Sequence, residues 1–140
     1  NRGDHRAFNF DSTREKSTID IVSGDEIIKL QTINFIKIDT QGFELSILKG
    51  LKENLSFNTQ NNKNYLKIIL EFWPFALEQN NTSTNGLLDE IEQYGFTIKI
   101  IDHINHCLKD TTIDSLRDLV VNDLTPKSQG FINLWLSKDS

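Results

Sequence analysis

Two carboxylates stand where apolar segments of the chain come to an end. Asp39 follows the run INFIKI (residues 33–38), and Glu71 lies near the end of YLKIILEFW (residues 65–73). At the end of a buried strand, a carboxylate can hold a cationic group, accept a hydrogen bond from a hydroxyl, or act as a general base. The simpler interpretation of Asp39 is an acid near the start of the next helix, worth about 0.3–1 kcal/mol of stability.

Histidines offer two further kinds of chemistry. His5, within GDHR, could act as a general base near neutral pH, although a histidine in a polar segment is more often solvated. His103, His106 and Cys107 form the pattern His-x-x-His-Cys, which suggests zinc. A structural zinc site needs four ligands at recognisable spacing, and the sequence has no second pair. We therefore predict no metal site.

Composition restricts the class of protein. The chain has 140 residues, with 37% hydrophobic and 25% charged residues, as expected for one soluble globular domain. The net charge is −5 and the 15 basic residues are scattered, which argues against binding to nucleic acid or to an anionic membrane. The single cysteine, Cys107, excludes an internal disulfide and favours a cytoplasmic location. A sequence that begins at Asn1 and has no methionine also suggests a piece of a longer protein.

The hydrophobic pattern alternates between strands and helices. Continuously apolar runs predict strands. Helices are predicted to start at Ser23, as a possible cap, and at Phe43, and apolar residues at helical spacing predict further helices later in the chain. This alternation predicts an α/β fold with a largely parallel sheet and flanking helices. In such sheets ligands bind beyond the carboxyl ends of the strands, so Asp39 and Glu71 should share one rim. The predicted strands are 18–22, 33–39, 65–73, 96–102 and 130–137, and the later predicted helices are 87–94 and 112–123.

The segment INFIKIDTQGFELSILKGLKENL (residues 33–55) resembles the core signature of the FkbM-type methyltransferases. The matching positions are Lys37, Ile38, Asp39, Gly42, Glu44, Leu48, Lys49 and Gly50. The strand IILEF with Glu71 also fits, and NRGDHR (residues 1–6) and IDIVSGDEII (residues 19–28) match more loosely. Ser23 and Gly24 stand where the family usually has Thr-Leu. The resemblance covers roughly residues 1 to 100.

This resemblance implies a Rossmann-like class I methyltransferase fold, with S-adenosylmethionine as the cofactor. Such enzymes hold the cofactor on a Gly-rich turn, where the backbone can approach closely at a helix N-terminus. The seven glycines here include no Gly-x-Gly pair. By resemblance, residues 1–140 therefore form a single α/β domain that supplies the second half of the fold and lacks the N-terminal cofactor-binding half.

The resemblance also implies roles for individual residues in methyl transfer to a hydroxyl of a sugar or another small molecule. The alternative is a non-catalytic α/β module, either a degenerate methyltransferase or a partner-binding half, which the missing glycine turn favours. Glu44 also has a simpler interpretation as an acid in the first turn of a helix, and Trp73 as a core residue. The assigned residues are Asp39 and His5 for catalysis, Asp39, Gln41 and Gly42 for the cofactor, and Glu71, Trp73 and Glu44 for the substrate.

Overall fold

The computed structural model describes residues 20–60, 65–125 and 127–138, which form a mixed α/β fold. None of the helices in these ranges is long and apolar enough to cross a membrane. The helices are α1 (Gly24–Ile28), α2 (Glu44–Gly50), α3 (Lys52–Gln60), α4 (Pro74–Gln79), α5 (Thr84–Glu92) and α6 (Ile113–Asn122). The strands are β1 (Phe35–Ile38), β2 (Lys67–Phe72), β3 (Thr97–Asp102), β4 (Cys107–Thr111) and β5 (Ile132–Ser137).

The five strands make one sheet in the order β1-β2-β5-β3-β4. Strands β1 and β2 are parallel, whereas β5 is antiparallel to both of its neighbours and β4 is antiparallel to β3. The prediction of a largely parallel sheet is therefore wrong, because β5 enters between β2 and β3 in the opposite direction. Strands β1, β2 and β3 nevertheless point the same way, so their carboxyl ends meet at one edge.

Strand β4 was not predicted, because all but the last of its residues are exposed and its sequence CLKDT has no apolar run. It is held to β3 by a turn over residues 103–106. The Asp102 carboxylate accepts hydrogen bonds from the backbone amides of Ile104 and Asn105 and pairs with Lys109. Hydrogen bonds from Asn105 and Lys109 lower the pKa of Asp102 well below its usual range. Local polar contacts thus specify this hairpin.

Two other predicted boundaries differ from the structure. Residues 20–22 do not form a strand, and the rest of the predicted strand 18–22 lies outside the described residues. Pro74 ends β2 as expected, but it also begins helix α4, which was not predicted. Proline suits the first turn of a helix because its missing amide hydrogen would have no intrahelical partner there.

One face of the sheet packs against the helices and forms the core. The strands contribute fully or nearly fully buried side chains that alternate with the opposite face, as the two-residue period of a strand requires. The main strand residues of this core are Ile38, Ile68, Leu70, Phe72, Ile98, Leu134 and Leu136, and the main helical ones are Leu48, Leu55, Leu77, Leu87, Leu88, Ile91 and Leu116.

Polar side chains tie helix α3 to the preceding chain. The Asp25 carboxylate on α1 accepts hydrogen bonds from the backbone amides of Glu53 and Asn54, so it caps α3 from a neighbouring helix. Burial raises the pKa of Asp25, but hydrogen bonds from Asn54 and Glu53 hold it below its ordinary value. Asn58 is fully buried, accepts from the Ile33 amide at 2.8 Å and donates to the Gln31 carbonyl at 2.9 Å. These contacts fix the segment that leads into β1.

We expect Asn58→Ala to lower the free energy of unfolding by about 1–3 kcal/mol, because the Ile33 amide and the Gln31 carbonyl would lose their partner. Urea unfolding followed by circular dichroism measures this change. Asn122→Ala is the matched control, since its side chain is exposed and donates to the Asp118 carbonyl within one helix. Equal losses in the two variants would contradict a special role for Asn58.

Candidate active site at the carboxyl edge of the sheet

The candidate site lies where β1 and β2 end side by side. Ile38 pairs with Leu70 in the parallel register, so the next residues, Asp39 and Glu71, are neighbours at the same edge. The Gln41 side-chain amide Nε2 lies 3.1 Å from Glu71 Oε2 and 3.4 Å from Asp39 Oδ1. We call residues 39–42 the rim loop. The structure thus brings together Asp39, Gln41, Gly42 and Glu71.

Asp39 is the open carboxylate of this group. Its side chain is 41% exposed and pairs with Lys37 Nζ at 2.8 Å. The hydrogen bond from Lys37 lowers the pKa of Asp39, burial opposes this effect, and the hydrogen bond from Gln41 adds a smaller lowering contribution. Asp39 is therefore ionised at neutral pH and is a weak base, which suits it to holding a positive charge better than to removing a proton.

Glu71 is the more enclosed carboxylate. It is only 8% exposed, and its Oε2 accepts the hydrogen bond from Gln41. Asn133 on β5 lies opposite Glu71 in the antiparallel register. A carboxylate this deeply placed requires hydrogen-bond donors, because a buried charge without partners is costly. Gln41 supplies one of them.

Glu44 lies beneath the rim loop and does not face the rim. It is fully buried, and its carboxylate accepts hydrogen bonds from the Thr40 amide, the Thr40 hydroxyl and the Gly42 amide, at 3.0 to 3.1 Å. The assignment of Glu44 to the substrate is therefore not supported by the geometry, because both oxygens are enclosed and bonded to the loop. Glu44 shapes the loop that carries the other residues.

Gly42 is required by the close approach of helix α4. Its φ angle is +100°, and a Cβ placed there would lie 2.3 Å from the Ala76 carbonyl oxygen. From the end of the same helix, the Asn80 side chain donates to the Gln41 carbonyl at 3.1 Å. Gly42 is thus needed for the backbone conformation of the rim loop, and this loop is held between α2 and α4. Sequence reasoning missed Thr40 and Asn80, since neither belongs to a recognisable pattern.

Trp73 begins an aromatic wall beside these carboxylates. Its ring lies 5.7 Å from that of Phe75 and 6.2 Å from that of Phe131, and its Nε1 donates to the Gln129 carbonyl at 3.1 Å. Trp73 is half-buried, whereas Phe131 is 54% exposed. The wall lies just beyond the paired residues Phe72 and Ile132 of β2 and β5. Trp73 thus follows Glu71 by two residues at the end of β2, and Phe131 lies toward β5, away from β1.

The other titratable candidates are the three histidines and Cys107. His5 lies outside the described residues, so its predicted role as a base stays a prediction. His103, His106 and Cys107 are exposed on or beside the β3–β4 turn. Within ranges 20–60, 65–125 and 127–138, no three His, Cys, Asp or Glu side chains are grouped so that they could hold a metal ion.

A surface depression of about 430 Å³ lies elsewhere, where β3 begins and β4 ends. It is lined by residues including Glu92, Phe96, Asp110 and Asp114. Because β3 runs in the same direction as β1 and β2, the start of β3 lies at the edge of the sheet opposite the rim loop. The depression therefore does not belong to the site formed by Asp39 and Glu71.

We expect Gly42→Ala to lower the free energy of unfolding by about 2 kcal/mol or more. The cost has two sources, a left-handed backbone that side chains disfavour and a clash with the Ala76 carbonyl. Gly50→Ala is the control, because a Cβ on this helical glycine would meet only ordinary contacts at 3.7 Å or more. That variant should be neutral or stabilised by up to about 1 kcal/mol. Thermal unfolding of both variants tests the comparison, and equal changes would contradict it.

We expect Glu44→Gln to destabilise the fold by about 1–3 kcal/mol, because an amide group would replace an oxygen that accepts hydrogen bonds from the buried loop. Hydrogen exchange should locate the change, with faster exchange at the amides of Thr40 and Gly42. Glu53→Gln, at an exposed acid in the first turn of α3, should leave stability and exchange almost unchanged. Slow exchange at Gly42 in the Glu44 variant would argue against this role.

The site lies within the part of the chain that has a family match. Residues 3–98, well over half of the chain, match the family model described as the Methyltransferase FkbM domain. Comparisons with curated proteins and with solved structures give no significant match. The matched range includes the rim loop, Glu71 and Trp73, and it ends before Phe131. The chain therefore belongs to the FkbM methyltransferase domain family.

Proposed function

We propose that this domain takes part in transferring a methyl group from S-adenosylmethionine to a hydroxyl of a small-molecule acceptor such as a sugar. The observation that carries the proposal is the pairing of Asp39 and Glu71 through Gln41 at the carboxyl edge of β1 and β2. Ligands of α/β proteins bind at such an edge. The family match supports methyl transfer as the chemistry.

The rim fits the cationic end of the proposed cofactor. When bound, S-adenosylmethionine supplies an activated methyl group on a positively charged sulfur, and its amino acid end carries an ammonium group. Asp39 offers an ionised, partly exposed carboxylate that could hold either charge. The 140 residues contain no Gly-x-Gly turn for the nucleoside end. We therefore assign only the cationic end to the rim loop.

Methyl transfer to oxygen also requires removal of the hydroxyl proton. The lowered pKa of Asp39 makes it a weak proton acceptor, so we assign it an electrostatic role. Glu71 lies one strand away and can accept a hydrogen bond from the acceptor hydroxyl. His5 is the candidate base from the sequence, because an imidazole exchanges protons near neutral pH.

The aromatic wall gives the acceptor an apolar surface next to these polar groups. Small-molecule sites commonly combine aromatic surfaces with a few polar groups that fix orientation. Trp73 and Phe131 could contact the apolar face of a ring while Glu71 binds one of its hydroxyls. This arrangement suits a hydroxyl compound with a flat apolar face, which includes sugars.

The second candidate function is a non-catalytic module that binds a partner. The absence of a Gly-x-Gly turn from the 140 residues favours it. Calorimetric titration of the full natural protein with S-adenosylmethionine separates the two functions. Specific binding that depends on Asp39 supports the methyltransferase, whereas no binding favours the module.

We expect Asp39→Asn to weaken S-adenosylmethionine binding by about tenfold or more, which corresponds to about 1.4 kcal/mol. The substitution removes the negative charge and leaves the Lys37 ammonium beside a cationic ligand. S-Adenosylhomocysteine has no charge on sulfur but keeps the ammonium group, so it reports which cation Asp39 faces. Weaker binding of both compounds indicates the ammonium, and a selective loss for S-adenosylmethionine indicates the sulfonium.

Asp110→Asn is the matched control for this experiment. Asp110 is also an exposed carboxylate paired with a lysine, Lys99, at 2.9 Å, but it lies near the opposite edge of the sheet. Its substitution should change neither affinity. The melting temperature of both variants should stay close to that of the wild type, since exposed ion pairs contribute little to stability. Unchanged affinities in Asp39→Asn would overturn the assigned role.

A further inference from the structure

We propose that Gln41 is a positioning residue, whose side-chain amide holds the Asp39 and Glu71 carboxylates side by side in one site. A primary amide carries two N–H donors on one nitrogen. Gln41 Nε2 lies 3.1 Å from Glu71 Oε2 and 3.4 Å from Asp39 Oδ1, so one nitrogen can serve an oxygen of each acid. Gln41 thus acts on a ligand through the two carboxylates. It was predicted to bind the cofactor itself, and we now propose that it does so only by positioning these acids.

The backbone of Gln41 is fixed in an unusual conformation. Its φ angle is +55°, in the left-handed region that residues with a side chain rarely adopt. The Gln41 carbonyl accepts a hydrogen bond from Asn80, and the amides of the two flanking residues, Thr40 and Gly42, bind to Glu44. The loop is therefore held on both sides of Gln41. This fixes the direction in which its side chain leaves the backbone.

Electrostatics explains why a neutral amide suits this position. Two adjacent carboxylates repel each other, and one of them would tend to bind a proton unless donors stabilise the charged forms. Lys37 already supplies one positive charge to Asp39. A second cation in place of Gln41 would cancel the negative charge that remains on Asp39 and Glu71. A neutral amide donates hydrogen bonds and leaves that negative charge in place. The site then keeps its attraction for a cationic ligand, a consequence that rests on the proposed function.

The charged groups around Gln41 determine how it should respond to pH. In the described contacts these are Lys37 on β1, Glu71 on β2 and Glu44 beneath the loop on α2, together with Asp39 itself. Hydrogen bonding by Gln41 is one of the influences that lower the pKa of Asp39. Removal of the amide should therefore raise the pKa of Asp39, and an added carboxylate should raise it further.

The test uses Gln41→Glu and Gln41→Leu in the full natural protein, with urea unfolding measured between pH 5 and pH 8. In Gln41→Glu, three close carboxylates should share a raised pKa, so the folded state binds more protons than the unfolded state. The stability of this variant should therefore fall as the pH rises. Carbon-13 NMR should show a higher pKa for Asp39 in Gln41→Leu than in the wild type.

Gln129 provides the matched control, because it has the same side chain and the same φ angle of +55° and is exposed. Gln129→Glu and Gln129→Leu reproduce each substitution on a left-handed backbone, at a residue whose carbonyl accepts a hydrogen bond from Trp73. The proposal is overturned if Gln41→Glu and Gln129→Glu show the same pH dependence, or if the pKa of Asp39 does not rise in Gln41→Leu. These measurements need no cofactor, so they remain decisive even if S-adenosylmethionine does not bind.

Discussion

The shape of the site depends on the hydrogen bonds that the Glu44 carboxylate accepts from the rim loop. It is buried at the start of α2 and binds the amides of Thr40 and Gly42 and the Thr40 hydroxyl. A buried carboxylate needs such donors, and the loop amides need an acceptor, so each satisfies the other. The loop held in this way carries Gln41, whose side chain donates to Glu71 on β2.

Three carboxylates near the same edge of the sheet have three different environments. Glu44 is enclosed by backbone donors and stabilises the rim loop. Glu71 is nearly buried beside an amide, and Asp39 is partly exposed beside a lysine. The environment of each group, more than its position in the sequence, decides whether its charge is available to a ligand. Asp39 is the most available of the three.

The sequence predicted the part of the site that depends on buried strands. Apolar runs that end at Asp39 and shortly after Glu71 indicated two strands, and parallel pairing placed both acids at one edge. It could not predict that β5 enters antiparallel between β2 and β3, because an apolar run does not encode its direction or its neighbours. Glu44 was also unpredictable in detail. An acid in the first turn of a helix is usually solvated, and only the folded loop reveals its burial.

The place of β5 has a consequence for the order in which the chain can fold. Among the strands of the described residues it comes last in sequence, yet it lies at the centre of their sheet. Until residues 132–137 have been synthesised, the β1–β2 pair and the β3–β4 hairpin have no strand to join them. During that time β2 and β3 each present an unpaired, apolar edge, and such edges promote association between chains. Joining of the two strand pairs, and with it protection of these edges from association, must therefore wait for β5.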